Sequence, residues 1–415
     1  MKKILSVLLA VAMLFALASC GSNSGSSSAS GSASGSSNLS DLKVGFIFLH
    51  DENSTYDKNF IDAAKEAQKE LGLKDDQVLF KTNIPESNEC YEAAAALVDA
   101  GCKLVFADSF GHEPYMLQAA KEFTDVQFCH ATGTNAHTEK LANFHNAFAS
   151  IYEGRYLAGI AAGVKIKDAI DNGKTINGVK VTADNAKVGY VGAFPYAEVI
   201  SGYTSFFLGI RSVVPTATME VQYTNSWYDE GKEKEAAEAL IGKKCILISQ
   251  HADSMGAPTA CEKANVPNVS YNGSTISACP NTFIVSSRIS WTPYFKHIIN
   301  AVANGTAITE DYCGGIKEGS VVLTDINEKA AAAGTQEAID AAKAQLEAGT
   351  LHVFDTSKFT VDGKTLTTYK ADVDTDENYT PDTEAIADGY FHESEYRSAP
   401  YFNIIIDGIT VPAAN

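Results

Sequence analysis

Residues 43–71 read KVGFIFLHDENSTYDKNFIDAAKEAQKEL. The stretch 43–49 is an apolar run of strand length. From 59 to 71, Phe60, Ala63, Ala64, Ala67 and Leu71 recur at helical spacing on one face. Between them lies a polar loop, Asp51 to Asp57, interrupted only by Tyr56. Ser54 or Thr55 can cap the helix that follows. A strand, a polar turn and a helix make the opening of a βαβ unit, so the question is whether the unit repeats.

It does. Working outward, strands are expected at 78–82, 104–107 and 126–130, helices at 90–100 and 114–123, and a further strand-like run at 142–149. This alternation gives a parallel sheet with helices on both faces. A helix at 151–166, IYEGRYLAGIAAGVKI, leads on. Its Gly159 and Gly163 lie one turn apart beside Ala158 and Ala162, a small face that lets a neighbouring helix approach closely. No Gly-rich turn follows a strand here, which sets aside a phosphate loop. The alternation then restarts: KVGYVGAF at 187–194 has the style of KVGFIFL. It is followed by helices at 197–213, 231–241 and 258–264 and strands at 218–224, 245–250, 268–271 and 283–287. The expected fold class is α/β, with two Rossmann-like lobes and a ligand cleft between them. Boundaries fall at 41–150 for lobe 1, 151–290 for lobe 2, 291–358 for a return to lobe 1 and hinge, and 359–415 for a C-terminal appendage. Within the return, a helix at 292–304, a strand at 320–324, an Ala-rich helix at 328–348 and a strand at 351–354 are expected.

The ends and the charge bound the setting. Residues 1–19 combine Lys2 and Lys3 with an apolar stretch too short to span a membrane. Leu17-Ala18-Ser19-Cys20 reads as a lipobox, with Cys20 the lipidated residue. Residues 20–40 then form a Gly/Ser-rich tether. The expected location is the extracellular face of the cell membrane. Cleavage before Cys20 removes Lys2 and Lys3 and no acid, taking the net charge from −19 to −21. Such a charge argues against nucleic acid as a partner. Seven cysteines follow Cys20 without a CxxC pair, and four histidines between 112 and 145 fall on separate predicted segments. No metal and no cofactor are assigned. The odd cysteine number leaves disulfides or an anaerobic habitat open.

In open parallel sheets, ligands lie outside the carboxyl ends of the strands. Those ends carry Asn53, Ser54, Tyr56 and Asp57, then Ser109 and Phe110, then Ala131-Thr132-Gly133 in the first lobe. In the second they carry Phe194, Trp227, His251, Asp253, Asn272 and Trp291. Phe60 stands one turn into the first helix. Aromatic faces beside carboxylates, amides and a histidine suit a flat ligand with polar edges, and the alternative is a sugar or a signalling molecule in the same fold. An exported nucleoside hydrolase is the rival reading from clustered Asp51, Asp57, Asp108 and Asp253. No GxSxG, HExxH or tight DxD cluster supports it, so no catalytic residue is assigned.

Several motifs carry a family resemblance. YDKNF at 56–60, YEGRYLAGIAAG at 152–163, VGYVGAFPYAEVISGYTSFFLGIRSVVP at 188–215, NSWYDEGKEKEAAEALI at 225–241, QHADS at 250–254 and WTPYF at 291–295 resemble the basic membrane lipoprotein family of substrate-binding proteins. The resemblance implies a type I periplasmic-binding-protein fold and delivery of a nucleoside or purine base to an ABC permease, by a monomer held at the membrane through its lipid. It implies that Phe60 stacks on a base and Asp57 is the acidic contact of D-K-x-F. Tyr56, Ser109, Phe110, Phe194, Trp227, His251, Asp253 and Trp291 line the cleft. The chain departs from the family pattern at Ile61, at Asn272-Gly273 and at Ser290-Trp291, where relatives carry an Asn, a ribose-gripping Asp and a Lys. These departures point toward a free base or another planar ligand.

Overall fold

The computed structural model describes residues 39–373, 378 and 380–412. The leader segment, Cys20 and nearly all of the tether lie outside the described residues. Two open sheets carry the fold. The first runs, edge to edge, Asp311–Gly314, Phe144–Ala149, Gln127–Ala131, Cys102–Ala107, Lys43–Ile47 and Val78–Lys81, with every neighbouring pair parallel. The second runs Val321–Leu323, Phe283–Ile289, Asn268–Tyr271, Ile248–His251, Lys187–Gly192, Thr218–Tyr223 and Ile409–Thr410; only Val321–Leu323 is antiparallel. In each sheet the first strand of the lobe lies between its second and third. The winding therefore reverses beside that strand and leaves a crevice at its carboxyl end.

The local sequence accounts for these elements. The strands are buried on both faces, so they read as continuous apolar runs. Helix Thr55–Leu71 starts at Ser54, whose hydroxyl accepts the Asp57 N–H. It stops at Gly72, which takes φ 69° and donates to the Gln68 and Lys69 carbonyls. Helix Ile151–Asp171 packs against helix Ala197–Val213 almost backbone to backbone. A Cβ on Gly159 would lie 2.1 Å from the Phe206 carbonyl oxygen, and one on Gly209 the same distance from that of Tyr156. The small face at Gly159 and Gly163 is thus a packing surface.

The chain passes between the lobes three times: after Ala149, after Ile289 and after Gly314. The connections lie side by side. The Ser150 N–H donates to the Gly314 carbonyl at 3.0 Å, and the Ser290 N–H to the Ser320 carbonyl at 2.7 Å.

Several elements of the return differ from expectation. Helix Thr292–Asn304 packs on helix Thr55–Leu71, as a return to the first lobe requires. The strand expected at 320–324 instead pairs antiparallel with Phe283–Ile289 in the second sheet. Its short Val-Val-Leu run suits either open edge, and the edge beside Phe144–Ala149 is filled by Asp311–Gly314, whose DYCG carries no apolar alternation. The Ala-rich helix begins at Thr335, not 328. Residues 351–354 form no strand; Phe354 is buried there, stacked 4.2 Å from Phe402.

The C-terminal residues add to the second lobe and reach the first. Ile409 and Thr410 pair with Met219 and Glu220, and Arg211 donates to the Asp407 carbonyl at 3.0 Å. Glu393, 1 % exposed, accepts the Tyr401 and Phe402 N–H groups at 3.0 and 2.7 Å. The Ser398 N–H reaches Asp311 Oδ2, on the first sheet, at 2.7 Å. Among the described residues the seven cysteines are free thiols, six of them buried.

Candidate functional site

The carboxyl ends of Lys43–Ile47, Cys102–Ala107 and Gln127–Ala131 face those of Lys187–Gly192, Ile248–His251 and Asn268–Tyr271 across a cavity of about 380 Å³ including its mouth. The lobes touch around it. The Thr55 N–H donates to the Asp253 carbonyl at 3.0 Å, and the Thr55 hydroxyl reaches the same oxygen at 3.2 Å. The His50 and Tyr228 rings lie 5.3 Å apart, and those of Phe110 and Tyr196 6.0 Å. This is a closed cleft.

Eight of the residues expected at the site line the cavity: Tyr56, Asp57, Ser109, Phe110, Trp227, His251, Asp253 and Asn272. Five do not. Asn53 is exposed and turns back on Asp51, to which both its N–H and its side-chain amide donate. Ser54 is the buried helix cap. Phe194 sits outside the wall, edge-on to Trp227 at 5.0 Å. Phe60 and Trp291 are 0 % and 1 % exposed and stack on each other 4.5 Å apart in the core. The reason is helical phase: Tyr56 and Phe60 sit one turn apart with rings 4.8 Å apart, so Tyr56 covers the cavity side of Phe60.

Sequence reading left out Leu49, His50, Glu198 and Tyr271 as site residues and named Thr132 only within the strand end Ala131-Thr132-Gly133; all five line the cavity. Thr132 stood at a strand end and was recoverable. It takes φ 65°, a left-handed conformation that β-branched residues rarely adopt. Glu198 lies in the first turn of helix Ala197–Val213, so its carboxylate is displayed beside the helix N-terminus. Tyr271 ends a buried strand and carried no signal apart from its hydroxyl.

Charge is unevenly distributed. Asp57, Glu198 and Asp253 line the cavity, with Asp108 just behind, and His50 and His251 lie against Asp57 and Glu198. Asp57 Oδ1 accepts the His50 N–H at 2.7 Å, and its Oδ2 lies 3.4 Å from His50 Nδ1. Burial opposes the Asp57 charge, but His50 and Ser54 outweigh it and hold the carboxyl below its ordinary range. Asp108 behaves oppositely: burial first, then the charge of Asp57, push it well above that range. Burial, Glu233 and Asp57 do the same to Asp253. Burial lowers His251, and Glu198 Oε1 lies 3.3 Å from its Nε2. The outcome is an ionised Asp57 beside two buried carboxyls, Asp108 and Asp253, that are biased toward the neutral, hydrogen-bond-donating form. The Thr132 and Tyr271 hydroxyls, both buried, have no hydrogen-bond partner among the described residues.

Behind the wall, Arg155 is fully buried in the second lobe. It donates to the Ser270 and Gln250 carbonyls at 3.3 and 3.2 Å and to the Tyr190 hydroxyl, and its guanidinium lies 4.9 Å from the centre of the Tyr271 ring. It holds Tyr271 in place without entering the cavity.

The family described as ABC transporter substrate-binding protein, PnrA-like, matches residues 46–349. The chain belongs to this family. The resemblance drawn from YDKNF and the second-lobe motifs is therefore borne out. As a family member it is a substrate-binding protein of an ABC transporter, not an enzyme, and it works on the outer side of the membrane. It is 34% identical over 286 residues to a purine-binding protein of Brucella abortus, covering 68% of this chain and 75% of that one. It is 31% identical over 222 residues to a putative ABC transporter glucose-binding protein of Haloferax volcanii, covering 54% of this chain and 51% of that one. Among solved structures, a solute-binding protein of an ABC transporter system from Conexibacter woesei superposes with TM-score 0.60 at 22% identity, over 75% of this chain and 98% of its own. One from Aeropyrum pernix gives 0.62 at 17%, over 75% and 93%. These structural likenesses establish the fold.

Proposed function

We propose that this substrate-binding protein holds a purine base or nucleoside in the interlobe cavity and hands it to an ABC permease. The observation that carries the proposal is the pairing of aromatic walls with unpartnered polar atoms. Tyr56, Trp227 and Tyr271 supply flat faces, while the Thr132 and Tyr271 hydroxyls and Asp57 point polar groups at the same space. A purine needs stacking on its faces and hydrogen bonds around its rim. Asp57 accepts a ring N–H or exocyclic amine. Asn272 and Asp253, linked at 3.3 Å, offer an amide and a carboxyl to ring nitrogens and carbonyls. Ser109, Phe110 and His251 complete the rim. Phe60, Trp291 and Phe194 support the wall aromatics from behind, and Ser54 sets the helix end that presents Asp57. The ionised Asp57 disfavours nucleotides, whose phosphates would meet like charge.

The purine-binding relative in Brucella abortus supports this reading. Binding requires only that the ligand favour the closed arrangement over the open one. The lipobox at Cys20 and the Gly/Ser tether support anchoring as a monomeric receptor on the outer face of the membrane. A calorimetric titration with adenine, guanine, hypoxanthine, xanthine and their nucleosides tests the proposal. Saturable binding of at least one is expected, and no heat across the panel sinks it. The glucose-binding name of the Haloferax volcanii relative favours a second reading, a sugar in the same cavity. Hexoses that raise the melting temperature where purines do not would select it.

A further inference from the structure

The C-terminal segment lies outside the family match, which ends at residue 349. It touches both lobes. On the second, Ile409 and Thr410 pair with Met219 and Glu220, and the Asp407 carbonyl accepts from Arg211 at 3.0 Å. On the first, the Ser398 N–H donates to Asp311 Oδ2 at 2.7 Å. Between these points the segment runs beside the meeting of the lobes. Arg397 and Asn403 line one groove together with Thr134 of the first lobe and Tyr196 of the second.

We propose that this segment is a strap, anchored on the second lobe and latched to the first at Asp311, that biases the ligand-free protein toward its closed form. The proposal is independent of which ligand the cavity holds. Three observations carry it. First, the strap is pinned along its length. Buried Glu393 accepts the Tyr401 and Phe402 N–H groups at 3.0 and 2.7 Å, and the Phe402 ring stacks 4.2 Å from Phe354. Asp407 Oδ2 accepts the Thr360 hydroxyl at 2.5 Å and the Gly363 N–H at 2.8 Å. A loose chain would follow the first lobe as it moved; one pinned in this way moves with the second. Second, the latch point is itself held firmly. The Asp311 side chain is 4% exposed, and its Oδ2 also lies 3.1 Å from His137 Nε2, on the first-lobe helix Ala136–Glu139. Asp311 is thus fixed from within the first lobe while the same oxygen takes the strap.

Third, the latch does not survive opening. Asp311 stands three residues before Gly314, where the chain crosses between the lobes. At about 3.3 Å per residue this is a lever of about 10 Å. An opening rotation of about 20° therefore carries Asp311 about 3 Å, and a hydrogen bond fails when stretched by about 1 Å. The contact exists only while the lobes are together, and opening must break it. Unlike the contact of Thr55 with Asp253, it is made by residues outside the lining of the cavity.

The chain's two tryptophans report the arrangement of the lobes. Trp227 lines the cavity, and Trp291 is 1 % exposed in the core, so opening uncovers only Trp227. Acrylamide quenching of tryptophan fluorescence would be measured on full-length, ligand-free protein and on its Asp311→Ala and His137→Ala variants. Asp311→Ala removes the latch. His137→Ala disturbs Asp311 from within the first lobe and leaves the Ser398 N–H its acceptor. Losing one hydrogen bond shifts the open-to-closed ratio by up to about tenfold, so the quenching constant should rise about twofold or more in Asp311→Ala. His137→Ala should match the parent. Equal quenching of the parent and Asp311→Ala would overturn the strap, and so would an equal rise in His137→Ala, which would place the effect in the packing of the first lobe. Should Asp311→Ala not fold, Ser398→Pro removes the same hydrogen bond from the strap side: a rise supports the latch, and quenching equal to the parent overturns it.

Discussion

Thr55 and Asp253 join the two lobes through a single oxygen: the Asp253 carbonyl accepts both the backbone N–H of Thr55, at 3.0 Å, and its hydroxyl, at 3.2 Å. Thr55 opens the helix that carries Tyr56 and Asp57, so the contact that closes the cleft also positions the wall. Thr55→Val keeps the shape and removes the hydroxyl. One hydrogen bond contributes about 0.5–1.5 kcal/mol, so ligand dissociation should quicken up to about tenfold with little change in association. Stopped-flow kinetics with the best ligand of the panel measures this; an unchanged dissociation rate would show that the hydroxyl does not hold the closed form.

Phe60 and Trp227 should separate stability from binding. Phe60→Ala empties a core position packed on Trp291 and is expected to cost about 3–5 kcal/mol of folding free energy. Trp227→Ala removes a partly exposed wall, leaves the melting temperature within a few degrees, and weakens binding by at least tenfold. Denaturant unfolding and calorimetry on both variants check the contrast. It fails if Phe60→Ala is as stable as the parent, or if Trp227→Ala binds normally.

Arg155 lies far from solvent with carbonyl, hydroxyl and ring partners. Arg155→Ala removes the donor to the Ser270 and Gln250 carbonyls and the Tyr190 hydroxyl in the buried interior. At about 1–3 kcal/mol for each such group, the loss should be at least about 3 kcal/mol, read by chemical denaturation. Arg155→Lys should restore only part of it, because an ammonium cannot span the same acceptors.

Stability should depend on pH through Glu393. Burial raises its carboxyl from the ordinary 4.5 to about 8, against the pull of the Tyr401 and Phe402 N–H groups. Between those values the folded chain holds a proton that the unfolded chain has released. Its contribution is therefore complete below about 4.5 and is lost as pH rises toward about 8. Glu233, raised by burial to about 7, acts in the same direction. The melting temperature should fall across this interval, and Glu393→Gln should flatten part of the slope. Parallel profiles for parent and variant would refute the assignment.

The sequence was informative where one physical rule controls the outcome. Double-sided burial makes parallel strands apolar throughout, so both sheets were legible from KVGFIFL and KVGYVGAF. Strand carboxyl ends also located eight of the cavity residues. Legibility failed where tertiary choice decides. Val321–Leu323 suits two edges equally, and only the occupied edge excludes one. Phe60 and Tyr56 share a helical face, so spacing alone does not tell which lies in front. Glu198 sits inside a helical segment and Tyr271 ends a buried strand, and only the meeting of the two lobes gives them a common purpose.

The three side-by-side connections have a mechanical consequence. Two plates joined at one point can swing, twist and slide. Joined along a line, by strands tied to each other through Ser150 with Gly314 and Ser290 with Ser320, they keep only the swing. Each opening must then retrace the same arc, and each closure returns the two rims to the same register.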